Sequence, residues 1–125
     1  MNDKCCSTRV AWTGDEGLPA MVSPLTDGRR LLLCEAGALT CYDVTTGKVA
    51  WRANAGEGSW ASPTLVGRNV YLPDKNGKTH VFELADKFKL LASSDVQDEI
   101  TASPAFANGR IYLRTKRSLF CIRTK

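Results

Sequence analysis

The chain has 125 residues, a formal net charge of +4, 43% hydrophobic residues and 24% charged residues. That length holds one ordinary domain, and the composition excludes a disordered tail. Its longest apolar run, Leu31-Leu32-Leu33-Cys34, is strand-sized against the roughly 18–20 residues of a spanning helix, so no membrane insertion is expected.

The opening residues Met1-Asn2-Asp3-Lys4-Cys5-Cys6 lack the apolar core of a signal peptide, so the sequence as written encodes no leader by this reading. Val10-Ala11-Trp12 then begins a pattern that returns as Val49-Ala50-Trp51, 39 residues further on. Ser-Pro stands at Ser23-Pro24, Ser62-Pro63 and Ser103-Pro104, spaced by 39 and 41 residues. A turn with glycine follows each (Gly28, Gly67, Gly109), then an apolar strand: Leu31–Leu33, Val70–Leu72 and Ile111–Leu113. A further strand comes next in every unit, at Leu39–Tyr42, Thr79–Phe82 and Leu119–Ile122. A period near 40 residues, filled by four short strands with no room for a helix, is the mark of a propeller blade. Proline cannot donate to a strand ladder, so Pro24, Pro63 and Pro104 belong at the open edge of an innermost strand. Asp43-Val44-Thr45-Thr46-Gly47 reads as a tight connection, with Asp43 accepting backbone N–H groups and Gly47 supplying positive φ.

The run from Cys41 to Trp51, Cys-Tyr-Asp-Val-Thr-Thr-Gly-Lys-Val-Ala-Trp, resembles the repeat A-x-D-x-x-T-G-K-x-x-W of quinoprotein-like (PQQ-repeat) propellers. Such repeats occur in PQQ-dependent alcohol dehydrogenases and in the lipoprotein scaffold of the bacterial outer-membrane assembly machine, and family members are often periplasmic or extracellular. The resemblance runs from about Arg9 to Lys125 and implies that Trp12 and Trp51, with Tyr71 and Tyr112 on neighbouring strands, pack blade against blade. The second unit departs from it: Ala85-Asp86-Lys87-Phe88-Lys89-Leu90-Leu91 lacks Thr-Gly and Trp, so Leu90 or Leu91 is expected to hold that junction.

Counting strands gives an all-β, partial propeller over residues 1–125, with an outer strand at about 9–13 and blades at about 21–54, 61–97 and 102–125. The last blade shows three strands and the first segment one, so twelve strands make three blades of four-stranded antiparallel sheet. Three blades are too few for a closed ring. A homo-oligomer is therefore expected, a dimer of six blades above all, with residues 9–13 pairing near Leu119–Ile122 of a neighbouring copy. The other reading is a fragment of a larger propeller.

Five cysteines (Cys5, Cys6, Cys34, Cys41, Cys121) and one histidine (His80) offer no zinc spacing. Cys34, Cys41 and Cys121 read as small core residues of strands, and His80 as a surface or satisfied histidine. With one histidine, and the Ser-Pro serines on inner strands, no Ser-His-acid set is expected. Asp15, Glu16, Glu57, Asp98 and Glu99 lie on loops leading into inner strands and read first as solvated loop charge, with a channel mouth attractive to cations or a basic partner as the other reading; Trp60, near that mouth, reads as packing under a loop before stacking on a ligand. Arg110, Arg114, Lys116, Arg117, Arg123 and Lys125 form a basic stretch that guards a strand edge rather than binding nucleic acid. No catalytic, cofactor or metal residue is assigned. The expected function is a non-catalytic propeller module that binds a protein or ligand. The alternative is the C-terminal remnant of a PQQ-dependent dehydrogenase, for which PQQ and calcium would be the cofactors.

Overall fold

Alternating apolar positions, broken at short intervals by glycine and aspartate turns, produce strands and nothing else. In a computed structural model, described over residues 9–19, 22–59, 61–100 and 102–123, there are eleven strands and no helix. The first sheet contains β1 (Leu25–Thr26), β2 (Arg30–Glu35), β3 (Ala38–Asp43) and β4 (Val49–Asn54). The second contains β5 (Thr64–Val66), β6 (Asn69–Pro73), β7 (Lys78–Glu83) and β8 (Leu90–Asp95). The third contains β9 (Ala105–Ala107), β10 (Arg110–Arg114) and β11 (Leu119–Arg123). Each sheet is an antiparallel meander in chain order. Register repeats with the sequence: Leu31 faces Tyr42, Val70 faces Phe82, and Ile111 faces Ile122.

The three Ser-Pro units lie just before β1, β5 and β9, each an edge strand, as the missing proline N–H requires. Their serines link the sheets: Ser23 N donates to Ser62 Oγ and Ser62 N to Ser103 Oγ, each at 3.0 Å. This chain of bonds brings the first strands together on the inside of an arc, the arrangement of propeller blades around a channel.

Between the first two sheets lies the core. Leu32, Cys34, Leu39 and Cys41 from the first sheet cluster with Val70, Leu72, Phe82 and Leu84 from the second, and Ala55 joins them. Each large apolar side chain removed from water there contributes about 1.5–3 kcal/mol. Trp51 seals the outer rim: its Nε1–H donates to Ala85 O at 2.8 Å, and its ring lies 5.6 Å from Phe88 and 6.4 Å from Phe82. Trp12 repeats the device one unit earlier, donating to Val44 O at 2.7 Å and stacking on Tyr42 at 5.7 Å. Gly47 makes this approach feasible, since a Cβ there would lie 2.6 Å from the Trp12 ring, and its φ of +76° suits glycine. Asp43 shapes the same turn by accepting the N–H groups of Thr45 and Thr46 at 2.8 and 3.2 Å.

Within the single chain the described strands number eleven, and residues 9–13, whose expected strand partner is in a neighbouring copy, are docked on the first sheet by Trp12. Two expectations need correction. Leu90 and Leu91 do not hold the second junction: both are 47% exposed, and every residue of β8 faces water. A leucine is shorter than tryptophan and has no ring N–H to anchor in the next turn. That junction rests instead on Tyr71 against Phe106, with centroids 4.9 Å apart, on buried Pro104 and Ile100, and on the Ile100–Thr115 bridge. Tyr112 is half-buried. Cys34 and Cys41 are buried as expected, but Cys121 is exposed because nothing among the described residues covers β11 on that side.

Trp51→Ala should therefore cost about 3–5 kcal/mol, the usual loss for a truncated packed aromatic. Leu90→Ala should cost under about 1 kcal/mol, as at most exposed sites. Urea titration of the two variants reads the difference directly.

Candidate functional site

The polar groups that could do chemistry gather where the loops between sheets meet the hairpin turns of the next sheet. Three loop residues recur in register with positive φ: Gly17 at +67°, Gly56 at +76° and Gln97 at +56°. Gly17 lies on Thr40, and Gly56 lies on His80, one repeat later. Backbone bonds clamp the second and third of these loops to the following turn, Lys75 N to Gly58 O and Lys116 N to Glu99 O, both at 2.8 Å.

Under the Gly56 loop is a carboxylate–imidazole–hydroxyl set. His80 Nε2 lies 3.1 Å from Asp74 Oδ2, and its Nδ1 lies 3.1 Å from Ser93 Oγ. In the Nε2–H tautomer the ring donates to the Asp74 carboxylate and accepts from the Ser93 hydroxyl through Nδ1. The expectation that no such set exists is corrected here: Ser93 comes from β8, directly opposite His80 in the ladder. Asp74, only 1% exposed, also accepts the N–H groups of Asn76 and Lys78 at 2.9 and 3.2 Å through Oδ1. No substrate space lies above the pair, because even a methyl group on Gly56 would sit 2.5 Å from Asp74 Oδ2 and 2.6 Å from His80 Nε2.

The acidic residues singled out from the sequence have different surroundings. Asp15, Glu57 and Glu99 are exposed on the loops. Glu16 pairs with Arg52, and its backbone exchanges hydrogen bonds with the Tyr42 hydroxyl. Asp98 is structural, accepting from Thr115 Oγ1 at 2.6 Å and from Arg117 N at 2.9 Å. The Thr115 hydrogen bond, with help from the Arg117 N–H, holds the Asp98 carboxyl below the usual carboxylate range. Lys75, Lys116 and Arg117 stand on the adjoining turns, so this end carries both signs of charge. Trp60 lies outside the described residues, as do Cys5 and Cys6. Burial pushes the Cys34 thiol up to about 12 and the Cys41 thiol to about 11, so neither is a nucleophile near neutral pH.

The sequence matches the family model described as outer membrane protein assembly factor BamB over residues 7–87 and again over 35–125. The chain belongs to this PQQ-repeat propeller family. Among solved structures, it is similar to BamB from Moraxella catarrhalis, at 16% identity and a TM-score of 0.69, over 84% of this chain and 33% of that one. It is also similar to a europium-containing methanol dehydrogenase, at 18% identity and 0.64, over 86% of this chain and 23% of that one. A computationally designed protein, Ika4, aligns at 13% identity and 0.54, over 90% of this chain and all of that one. This PQQ-repeat chain thus spans about a third or less of the two natural relatives. No curated protein sequence matches it. Among the described residues, no three His, Cys, Asp or Glu side chains gather as metal ligands.

The glycine loop gives a paired test. Gly56→Ala should destabilise by roughly 2–5 kcal/mol, from left-handed strain and overpacking together. Gln97→Gly should stabilise by up to about 1 kcal/mol, since it relieves the same backbone conformation in the next copy. Thermal melts of both variants check the opposite signs. Asp98 gives a pH test. Its folded pKa is lowered, so its contribution is present above the unfolded value of about 3.9 and is lost as pH falls through the folded value. Asp98→Asn should remove that part of the acid dependence in urea titrations between pH 5 and 2.

Proposed function

We propose that this chain is a non-catalytic propeller module whose loop end binds a protein partner. The observation that carries the reading is the Asp74–His80 pair, closed under the Gly56 loop. Its carboxylate is spent on the turn and on the imidazole, and the Gly56 backbone covers the Asp74 and Nε2 side, leaving only the Ser93 side of the set toward water. Asp98 is likewise spent on Thr115 and Arg117. Asp15, Glu57 and Glu99 then project from the loops beside Lys75 and Lys116, a mixed-charge rim that selects a complementary protein surface by charge pattern. The family model's printed description, an assembly factor, is consistent with a scaffold role.

Titration of the chain with PQQ and calcium, followed by quinone absorbance and dye-linked alcohol oxidation, tests the reading. The expected result is no saturable quinone binding and no turnover; both together would establish a dehydrogenase remnant instead. On the binding side, Glu57→Lys with Glu99→Lys should leave the melting temperature unchanged and abolish cross-linking to a partner captured by the unaltered chain.

A further inference from the structure

The first and third sheets expose faces that the repeat shows to be complementary. In front of the first sheet is a cavity of about 530 Å³ lined by Trp12, Val22, Pro24, Leu31, Leu33 and Tyr42. The equivalent residues of the second sheet, Val70, Leu72 and Phe82, are buried against Leu39 and Cys41 of the first. Those two residues recur in the third sheet as Leu119 and Cys121. Leu39 and Cys41 are each 0% exposed, whereas Leu119 is 72% exposed and Cys121 is open to solvent. Two of the four side chains that seat this face inside the chain thus recur, exposed, on the third sheet, beside half-buried Tyr112 and exposed Arg114 where the first sheet has Leu32 and Cys34.

Three further observations agree. Strand β11 is an open edge among the described residues. Residues 9–13, anchored by Trp12 to Val44 O, lie against the first sheet as β4, anchored by Trp51 to Ala85 O, lies against the second. They occupy the place of an outer strand with, among the described residues, no inner strand beside them. The inner serine chain runs Ser23–Ser62–Ser103, and its next link would join Ser103 N to the Ser23 hydroxyl of a following blade.

We propose that this following blade is a second copy of the chain, docked head to tail. Leu119 and Cys121 of each copy enter the cavity at Leu31, Leu33 and Tyr42 of the other, and β11 of each pairs with residues 9–13 of the other. Two copies give six blades, within the four to eight of closed propellers, and a two-fold ring is the commonest closed symmetry. The interface continues the junction between the first and second sheets inside the chain.

Light scattering on the 125-residue chain at tens of micromolar should give the mass of two chains. Leu119→Glu changes a side chain that is exposed in the single copy, so it should keep the β-type circular dichroism and halve the mass. In the unaltered protein, alkylation by iodoacetamide mapped by mass spectrometry should spare Cys121 at high concentration and modify it on dilution, with Cys34 protected throughout. A monomer at tens of micromolar overturns the proposal. So does a mass indifferent to Leu119→Glu, or a Cys121 alkylated equally fast at both concentrations.

Discussion

A tryptophan on the outer rim of one unit sends its ring N–H to a carbonyl in the turn of the next, and the spacing of the blades follows from that reach. A buried indole N–H without an acceptor would be costly, so the ring cannot slide far from the Val44 or Ala85 carbonyl without losing its bond. The rest of the junction falls in under this constraint. Tyr42 or Phe82 lies beneath the ring, and Gly47 permits the close pass under Trp12. The Arg30–Asp86 ion pair spans the same junction, but Asp86 is 89% exposed, so screening leaves it a minor contributor.

Much of this was legible in the sequence, because its determinants are local. Proline at a strand edge, an aspartate–glycine turn and an apolar triplet each act over a few residues, and their recurrence at 39 and 41 residues fixed the blade assignment. What was not legible depends on register or reach. Ser93 meets His80 only because the β7–β8 ladder places them opposite each other, next to an irregularity at Val81/Phe82. Leu90 stands where the repeat has tryptophan, yet whether a shorter chain still closes the gap is a question of distance that spacing does not answer. Gly17 and Gly56, 39 residues apart, carried an overlooked signal, and Gln97 hid the third member of the series behind a different side chain.

The polar residues illustrate how a repeat fold absorbs chemistry into structure. Where the first unit has Thr40 under its loop, the second has His80, and the imidazole brings Asp74 and Ser93 with it into a bonded set. The third unit uses Asp98 with Thr115 to bind loop to turn. The three units thus meet their incoming loops with three different sets of side chains. A triad-like arrangement is therefore informative about fold before it is informative about catalysis.

The serine chain along the inner strands has a mechanical consequence. Ser23, Ser62 and Ser103 join all three sheets through identical bonds, so both junctions turn about the same kind of pin on the inside of the arc. At the outer rim they differ: Trp51 bolts the first junction shut, while β8 leaves the second without such a bolt. The second junction therefore depends on contacts nearer the inner strands, Tyr71 against Phe106 and the Ile100–Thr115 bridge, to hold the angle that tryptophan holds at the first.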